Sequence, residues 1–354
     1  MTRTNLLASA AAVALLGGAG AAFADHPGGV GNTGGAGPIN TISASTLPQG
    51  SGVIGVTVVY TARDALSDDT LKEAAEHAFE EGHDHSTVHS LDSTTAVPLS
   101  LAYGVTDNLT LMLRLPYVNR RGIREGHAEE HHPGDVELEV ESHGSSSGIG
   151  DLSALAQWRF LNNRSTGTEA AILLGLKAPT GKTDESDQGE KLDAEFQPGS
   201  GSWDGLFGVA LTQRVNAWSF DASALYTAVT EGTQSTDLGD RLTYGLAVSY
   251  RVMGMQEPSH AGHDHANHRL DTHAQGPALD LVLELNGEWD DKEESHGEKN
   301  DDSGGHVLMI APGARLSIDK WSGFVSVGIP IVNDLNGIRS EPEWRLTSGV
   351  SVGF

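Results

Sequence analysis

Histidine is the residue of this chain whose number and spacing are best suited to chemistry. The 354 residues include 16 histidines, and the tetrapeptide G-H-D-H occurs twice, at Gly82–His85 and at Gly262–His265. Imidazoles one residue apart, with carboxylates beside them, suit Zn²⁺, Cu²⁺ or Ni²⁺. The chain contains no cysteine, so such sites would use nitrogen and oxygen ligands and are expected to exchange their ions readily.

The candidate metal ligands lie in acidic, polar stretches between apolar segments. They are His77, His83, His85, His89, His127, His131, His132, His143, His260, His263, His265, His268 and His273. A short helix predicted over 70–81, capped by Asp68 or Asp69, places Glu73, His77 and Glu81 on one face. Two other interpretations stay open: a solvated low-complexity tract, or a pH sensor that changes charge between about pH 5 and 8. No cofactor is required.

The charge of the chain restricts its partners. Acidic residues outnumber basic residues 48 to 22, which gives a net charge of -26. This charge argues against nucleic acid and anionic lipid as partners and favours surfaces that attract cations. No segment has the ~20 uninterrupted apolar residues of a transmembrane helix, which excludes a helical membrane protein.

The segments between the histidines alternate large apolar with small or polar residues. In Leu109–Tyr117, for example, every second residue is Leu or Tyr, while Arg114 lies on the other face. About twelve such strands can be counted, and long and short connections alternate between them. The sequence therefore predicts an all-β protein, a transmembrane antiparallel β-barrel of about twelve strands over residues 51–354, with long acidic His-rich loops outside. The long loop 253–276 is the exception, because the strand count places it on the periplasmic side.

The two ends of the chain agree with this fold. Residues 1–24 have the charged start, apolar run and A-x-A site of a cleaved signal peptide. Residues 25–50 form a Gly-rich leader, which is either flexible or threaded into the lumen. The last strand, Trp344–Phe354, ends on an aromatic residue, and Trp344 and Phe354 are expected in the two aromatic girdles. We expect the barrel-assembly machinery to bind this strand, and the protein to contact lipid in the outer membrane of a Gram-negative bacterium.

The face of the strands opposite the large apolar residues carries charged side chains, which require a water-containing lumen rather than lipid. They are Arg114, Asp151, Arg159, Asp221, Arg241, Arg251, Asp280, Glu284 and Arg345. These side chains either line a polar channel or pair with one another and close a narrow barrel.

Several segments also resemble a known family. They are the leader H-P-G-G-V-G-N-T-G-G, then Tyr103–Leu111, then Gly148–Leu152 (G-I-G-D-L), then Gly175–Gly181 (G-L-K-A-P-T-G). Together they resemble the outer-membrane proteins named for the meta-pathway of phenol degradation, which are commonly described as transporters. The resemblance implies a barrel that passes small molecules and identifies no substrate. Dense His loops are not a general feature of that family.

Three functions follow. The first is a non-enzymatic channel or transporter for small solutes whose His-rich loops bind divalent transition metals, for uptake, efflux or scavenging. The second is a channel for small aromatic or organic compounds with incidental His loops. The third is an outer-membrane barrel enzyme, which is disfavoured because the predicted strands contain no histidine.

Overall fold

The structure is a computed structural model that describes residues 36–80, 88–132, 135–254 and 276–354. The predicted signal peptide, residues 25–35 of the leader and most of the 253–276 loop lie outside these ranges. So do the predicted ligands His83, His85, His260, His263, His265, His268 and His273.

Twelve antiparallel strands close into a barrel, as the alternation predicts. They are β1 (Gly52–Arg63), β2 (Ser93–Thr106), β3 (Leu109–His132), β4 (Leu152–Asn163), β5 (Thr168–Ala178), β6 (Asp204–Val215), β7 (Trp218–Ala228), β8 (Arg241–Met253), β9 (Ala278–Asp290), β10 (Gly305–Ile318), β11 (Trp321–Leu335) and β12 (Pro342–Gly353). Each strand pairs with its neighbour in the chain, and β12 pairs with β1 from Val53↔Gly353 to Arg63↔Pro342, so the sheet has no open edge.

The outer surface of the barrel is apolar because every second side chain points away from the lumen. The side chains of Leu111, Leu211, Leu246 and Ile329 are each about half exposed. Tryptophans lie near both ends of this belt: Trp218 and Trp321 beside short turns, and Trp344 at the other end, where its ring is 5.2 Å from that of Tyr60. An apolar band bounded by aromatic residues matches the lipid-facing surface of an outer-membrane barrel.

Apart from the connection between β8 and β9, short and long connections lie at opposite ends of the barrel. The turns after β2, β4, β6 and β10 are short, and Phe354 lies at the same end, where its N–H donates to Gly52 O at 2.8 Å. Met253 and Ala278 also lie at this end because β8 and β9 pair there. Long loops are extracellular in such barrels, so we call the opposite end the outer end.

The outer end carries further regular structure. Helix α1 covers Asp68–Glu80, and Ser67 rather than Asp68 or Asp69 caps it, since its Oγ accepts the Thr70 N–H at 3.1 Å. None of the described helices has the length and apolar character needed to cross a membrane. Short strands lie at Val88–Ser90, Ser186–Asp187, Glu190–Lys191, Thr236–Asp237, Glu294–Ser295 and Glu298–Lys299.

The acidic, His-containing composition of Asn119–Ser147 predicts one of the long outer loops, and this prediction is wrong in its secondary structure. Strand β3 continues to His132 and pairs with a further strand, Asp135–Ile149, which forms an outer hairpin with it. The backbone N–H and C=O groups of the two strands are hydrogen-bonded to each other. The hairpin can therefore extend beyond the membrane, where its side chains need not be apolar.

Residues 36–50 run through the inside of the barrel, and most of them are buried. Glu284 of β9 holds this segment: its carboxylate accepts the backbone N–H groups of Asn40 at 3.0 Å and Thr41 at 2.9 Å. The side-chain amide of Asn40 donates to the same carboxylate at 2.7 Å. The described part of the leader therefore fills much of the lumen.

Candidate functional site

Three of the predicted metal ligands, His89, His127 and His143, lie together at the outer end of the barrel. His89 belongs to the short strand Val88–Ser90, His127 to β3, and His143 to the outer-hairpin strand Asp135–Ile149. Of the others, His77 lies on helix α1, and His131 and His132 lie at the end of β3. The structure thus gathers part of the predicted set into one cluster.

Strand pairing positions these side chains around one carboxylate. His89 is directly opposite Glu125 in the pairing of Val88–Ser90 with β3. His127 follows Glu125 by two residues, so the two side chains share a face. Glu125 is opposite Glu141 in the hairpin, and His143 follows Glu141 by two residues. Glu125 therefore lies among three imidazoles.

A buried segment of the loop between β5 and β6 completes the cluster. This segment, Leu192–Ser202, is called the outer cap below; its 3-10 helix Ala194–Phe196 is buried. Phe196 packs with Leu91, Ile123 and Leu192. Its carbonyl accepts a hydrogen bond from Ser146 Oγ at 2.5 Å. These contacts bring Asp193 and Glu195 against His89.

The distances within the cluster suit a metal ion. His89 Nε2 lies 3.3 Å from Glu125 Oε1 and 3.3 Å from Asp193 Oδ2. Ligand atoms of these three residues all lie within 4.8 Å of one another. Two ligands bound at about 2.0–2.1 Å to a tetrahedral Zn²⁺ are separated by roughly 3.4 Å. His143 Nε2 and His127 Nε2 lie 3.3 Å and 3.4 Å from Glu125 Oε2, where either can supply a further ligand.

Each of two imidazoles has a carboxylate behind it. His89 Nδ1 is 2.6 Å from Glu195 Oε1, and His143 Nδ1 is 3.3 Å from Asp187 Oδ2. Metal-bound histidines almost always have such a partner on the second nitrogen, which orients the ring and raises its basicity. Among the described residues, neither nitrogen of His89 has a hydrogen bond of good geometry, although both face carboxylates. That arrangement suits Nε2 as a metal ligand.

Without an ion, the cluster is a network of opposite charges outside the apolar belt. Burial disfavours the charged form of His89, but attraction by Glu195 and Glu125 outweighs it and raises the pKa of His89 well above its usual range. Burial also acts on Glu125, yet His127 and His89 hold the pKa of its carboxyl well below the usual range. A metal ion must therefore displace the proton of His89 to bind.

The carboxylates of the cluster are missing from the predicted ligand set. Glu125, Asp193 and Glu195 lie in acidic stretches where no single Asp or Glu stands out. The sequence contains one signal that points to these acids. The segment L-D-A-E-F, Leu192–Phe196, lies within a polar loop, yet its first, third and fifth residues are apolar. Such a pattern indicates a buried turn and draws attention to its two acids.

The expectation that the strands contain no histidine is wrong. His127, His131, His132 and His143 lie on the strands of the outer hairpin, His89 lies on the short strand Val88–Ser90, and His306 lies on β10, which begins at Gly305. His306 Nε2 is 2.7 Å from Tyr244 Oη, while His89, His127 and His143 face the carboxylates described above.

The predicted lumen charges are inside the barrel. Arg251 Nε donates to Asp280 at 2.6 Å, and Arg345 Nη1 donates to Glu288 at 2.5 Å. All four of these side chains are buried. The lumen thus contains bonded ion pairs as well as the leader.

The outer cap supports the cluster, so truncating its central side chain should loosen both. Phe196→Ala removes a fully buried ring that lies 5.0 Å from the His89 ring. We expect about 3 kcal/mol of local destabilisation, measured as faster amide hydrogen exchange in residues 192–202. Phe207→Ala is the control, since Phe207 is 52% exposed on the outer surface. Equal exchange rates in the two variants would show that the cap does not depend on Phe196.

Comparison with known proteins gives a family and a fold. The family model described as "Putative MetA-pathway of phenol degradation" matches residues 93–329. Comparison with curated proteins gives no significant match to this chain.

Among solved structures, an outer-membrane channel from Pseudomonas putida F1 has a TM-score of 0.53 and 18% identity, covering 88% of this chain and 98% of that one. The β-domain of the Bordetella autotransporter BrkA has a TM-score of 0.42 and 10% identity, covering 86% and 100%. LpxR from Salmonella typhimurium has a TM-score of 0.40 and 10% identity, covering 85% and 99%.

The shared architecture confirms the predicted all-β barrel. The apolar outer belt bounded by aromatic side chains fits the predicted location in the outer membrane of a Gram-negative bacterium. The matched segment spans most of the barrel, from the start of β2 to within β11. The chain therefore belongs to the family of outer-membrane β-barrels named for the meta-pathway of phenol degradation.

Proposed function

We propose that this protein is a non-enzymatic outer-membrane channel for small solutes, and that its outer end binds a divalent transition metal ion. Family membership and the closed barrel support the channel. The observation that carries the metal site is the convergence of His89 Nε2, Glu125 and Asp193, with Glu195 behind His89. Zn²⁺ fits this set of ligands best, and Cu²⁺ and Ni²⁺ are the other candidates.

The position of the cluster explains how it would work in a channel. It joins three outer segments: the one that follows helix α1, the outer hairpin and the outer cap. Acidic loops raise the local concentration of cations, and imidazole ligands select transition metals over Ca²⁺ and Mg²⁺. Ions would therefore be concentrated and held at the mouth of the barrel.

A second candidate is a channel for small aromatic or organic compounds, which is favoured by the description of the family. In that case the histidines would only form the charged network of the outer end. The polar lining of the lumen supports small polar solutes more than apolar ones. For assembly, we infer that the barrel-assembly machinery binds the last strand, β12, and Phe354 directly after it.

Calorimetric titration of the detergent-solubilised protein tests the metal site. Saturable binding of Zn²⁺ is expected, with competition by Cu²⁺ and Ni²⁺ and no saturable heat with Ca²⁺. Equal weak heats for all four ions would show that the outer end is only an acidic surface, and the organic-solute channel would then be favoured. Solute entry into proteoliposomes tests the channel separately.

A further inference from the structure

The outer cap crosses the mouth of the barrel. Three buried side chains hold it: Arg120 of β3, Asp151 directly before β4, and Lys177 of β5. Arg120 Nη1 donates to the carbonyl oxygen of Gln197 at 3.1 Å, and Asp151 accepts the backbone N–H of Ser200 at 2.8 Å. Lys177 Nζ donates to Ser200 Oγ at 2.7 Å. The cap therefore lies against the inner face of the wall that β3, β4 and β5 form.

The cap also meets the far side of the barrel. Glu293 follows β9, which lies six strands from β3 in a closed barrel of twelve. Burial and repulsion by Glu195 of the cap raise the pKa of the Glu293 carboxyl well above its usual range, so the two carboxyls are close. The side-chain amide of Gln234, between β7 and β8, donates to Leu192 O at 3.1 Å. Segments from opposite sides of the barrel thus enclose the cap.

The cap and the leader obstruct different parts of the barrel. Glu284, which holds the leader, lies six residues before the outer end of β9 at Asp290. At the other end, Gly50 N donates to Gly104 O at 2.8 Å, beside the short turn after β2. The described part of the leader therefore occupies the middle of the barrel and the end with the short turns, whereas the cap lies at the outer end. A solute has to pass both segments.

The cap has the features of a segment that can move as a unit. Gly189 before it and Gly201 near its end have φ angles of 98° and 75°, a conformation that glycine adopts without strain. Small residues at the ends of a moving segment often act as hinges, because they absorb large changes in φ and ψ. Phe196 is the one aromatic residue of the cap, and the contacts with the barrel wall described above are hydrogen bonds. Undocking of the cap therefore does not require unfolding of the barrel.

The candidate metal ligands join the cap to the barrel. His89 and Glu125 lie opposite each other on paired strands of the outer end. Asp193 lies on the cap, and its Oδ2 is 3.3 Å from His89 Nε2. The side chain of Asp193 makes no hydrogen bond that caps the 3-10 helix, so it is available to an ion. Glu195, also on the cap, lies behind His89, with 2.6 Å between Oε1 and Nδ1. The site is therefore complete only while the cap is docked.

A divalent ion changes the charge at this contact. The carboxylates of Glu125, Asp193 and Glu195 all lie around His89, whose imidazole supplies at most one positive charge. Zn²⁺ supplies two. Opposite charges attract more strongly where water is excluded, so the ion attracts the acids of the cap and of the barrel towards one point. Removal of the ion weakens the attachment of the cap.

We propose that the outer cap is the gate of this channel and that the metal ion held by His89, Glu125 and Asp193 keeps the gate closed. This inference rests on the proposed function and makes the ion a regulator of solute passage. Undocking takes Asp193 and Glu195 away from the ion, and loss of an outer-shell partner alone typically weakens metal binding about 10–100-fold. Zn²⁺ should therefore bind the closed state at least ~100-fold more tightly than the open state. A ligand shifts a two-state equilibrium by the ratio of its affinities for the two states.

Planar-bilayer recording of the purified protein in KCl, with Zn²⁺ or EDTA on both sides of the membrane, tests the gate. Saturating Zn²⁺ should lower the time-averaged current by about tenfold or more relative to EDTA, and an excess of EDTA should restore the current. Zn²⁺ should also slow amide hydrogen exchange in residues 192–202 by about tenfold or more, because docking protects the backbone of the cap. Ca²⁺ should have neither effect.

A variant with Asp193→Ala and Glu195→Gln removes both groups that the cap supplies to the ion. At a Zn²⁺ concentration that saturates this variant, as measured by titration, its current should change by less than about twofold, because the ion no longer distinguishes the two states. Glu298→Ala with Glu343→Gln is the matched control, since both acids are exposed and lie outside the cluster. Its Zn²⁺ response should stay within about twofold of that of the wild type, because distant sites with no shared partners act independently.

Heat-modifiable gel mobility identifies variants that fail to fold, and the comparison of Zn²⁺ with EDTA in the wild type requires no variant. Saturable Zn²⁺ binding that changes neither current nor exchange would overturn the gate and leave the metal site intact. An equal block of the wild type and of the Asp193 and Glu195 variant would also overturn it, since the cap would then not carry the effect. Absence of saturable Zn²⁺ binding would show that the metal site fails, and absence of current in EDTA that the channel fails; either result removes the gate as well.

Discussion

Replacing His89 by Ala, or Glu125 by Gln, is expected to abolish high-affinity Zn²⁺ binding. His89 Nε2 lies 3.3 Å from both Glu125 and Asp193, so either change removes a central ligand of the proposed site. Loss of an outer-shell partner alone typically costs about 10–100-fold in metal affinity. We therefore expect at least ~100-fold weaker binding for the ligand variants and about 10–100-fold for Glu195→Gln, measured by competition with a chromogenic chelator.

The control for this series is His296→Asn. His296 is an exposed histidine of the outer end with a φ of 54°, a conformation that Asn tolerates. Its replacement should leave Zn²⁺ affinity unchanged. A second set replaces His83, His85, His263 and His265 together. Were that set to lose Zn²⁺ binding while His89→Ala kept it, the G-H-D-H segments rather than the cluster would be the site.

Replacing Glu284 by Ala is expected to release the leader from the lumen and to raise single-channel conductance severalfold. The carboxylate of Glu284 accepts hydrogen bonds from Ile39, Asn40 and Thr41. Each buried N–H left without an acceptor costs about 1–3 kcal/mol, so the inserted conformation loses much of its stability. Planar-bilayer recording measures the conductance, and limited proteolysis measures the accessibility of residues 36–50.

Gly245→Leu provides an independent route to the same state. A Cβ at Gly245 would lie 2.5 Å from Thr41 Oγ1, so a larger side chain displaces the leader while Glu284 stays intact. Glu343→Ala is the control, because this acid of β12 is exposed. Unchanged conductance together with a protease-resistant leader in both lumen variants would contradict the role assigned to Glu284.

The barrel was predictable from the sequence because its two environments impose opposite side-chain requirements. Side chains that face lipid must be large and apolar, whereas side chains that face the lumen are small or charged. Because successive side chains of a strand point to opposite faces, this contrast appears in the sequence as an alternation with a period of two. Leu109–Tyr117 shows it directly, and Arg114 in that strand is buried in the lumen as expected. The same contrast is absent beyond the membrane, which is why the sequence predicts a loop over Asn119–Ser147 where the structure has the outer hairpin.

For the candidate site, the sequence alone determined that histidine and carboxylate would be abundant at the outer end. Only the tertiary structure decided which of them meet. Glu125 and Asp193 come together because Phe196 of the outer cap is buried against Leu91 and Ile123. This contact joins segments that are distant in the sequence, so no local pattern of residues predicts it. Likewise, Arg345 lies beside Thr61 only because the barrel closes β12 onto β1. Side-chain alternation is a local property of the chain, whereas closure and cap packing depend on the whole fold.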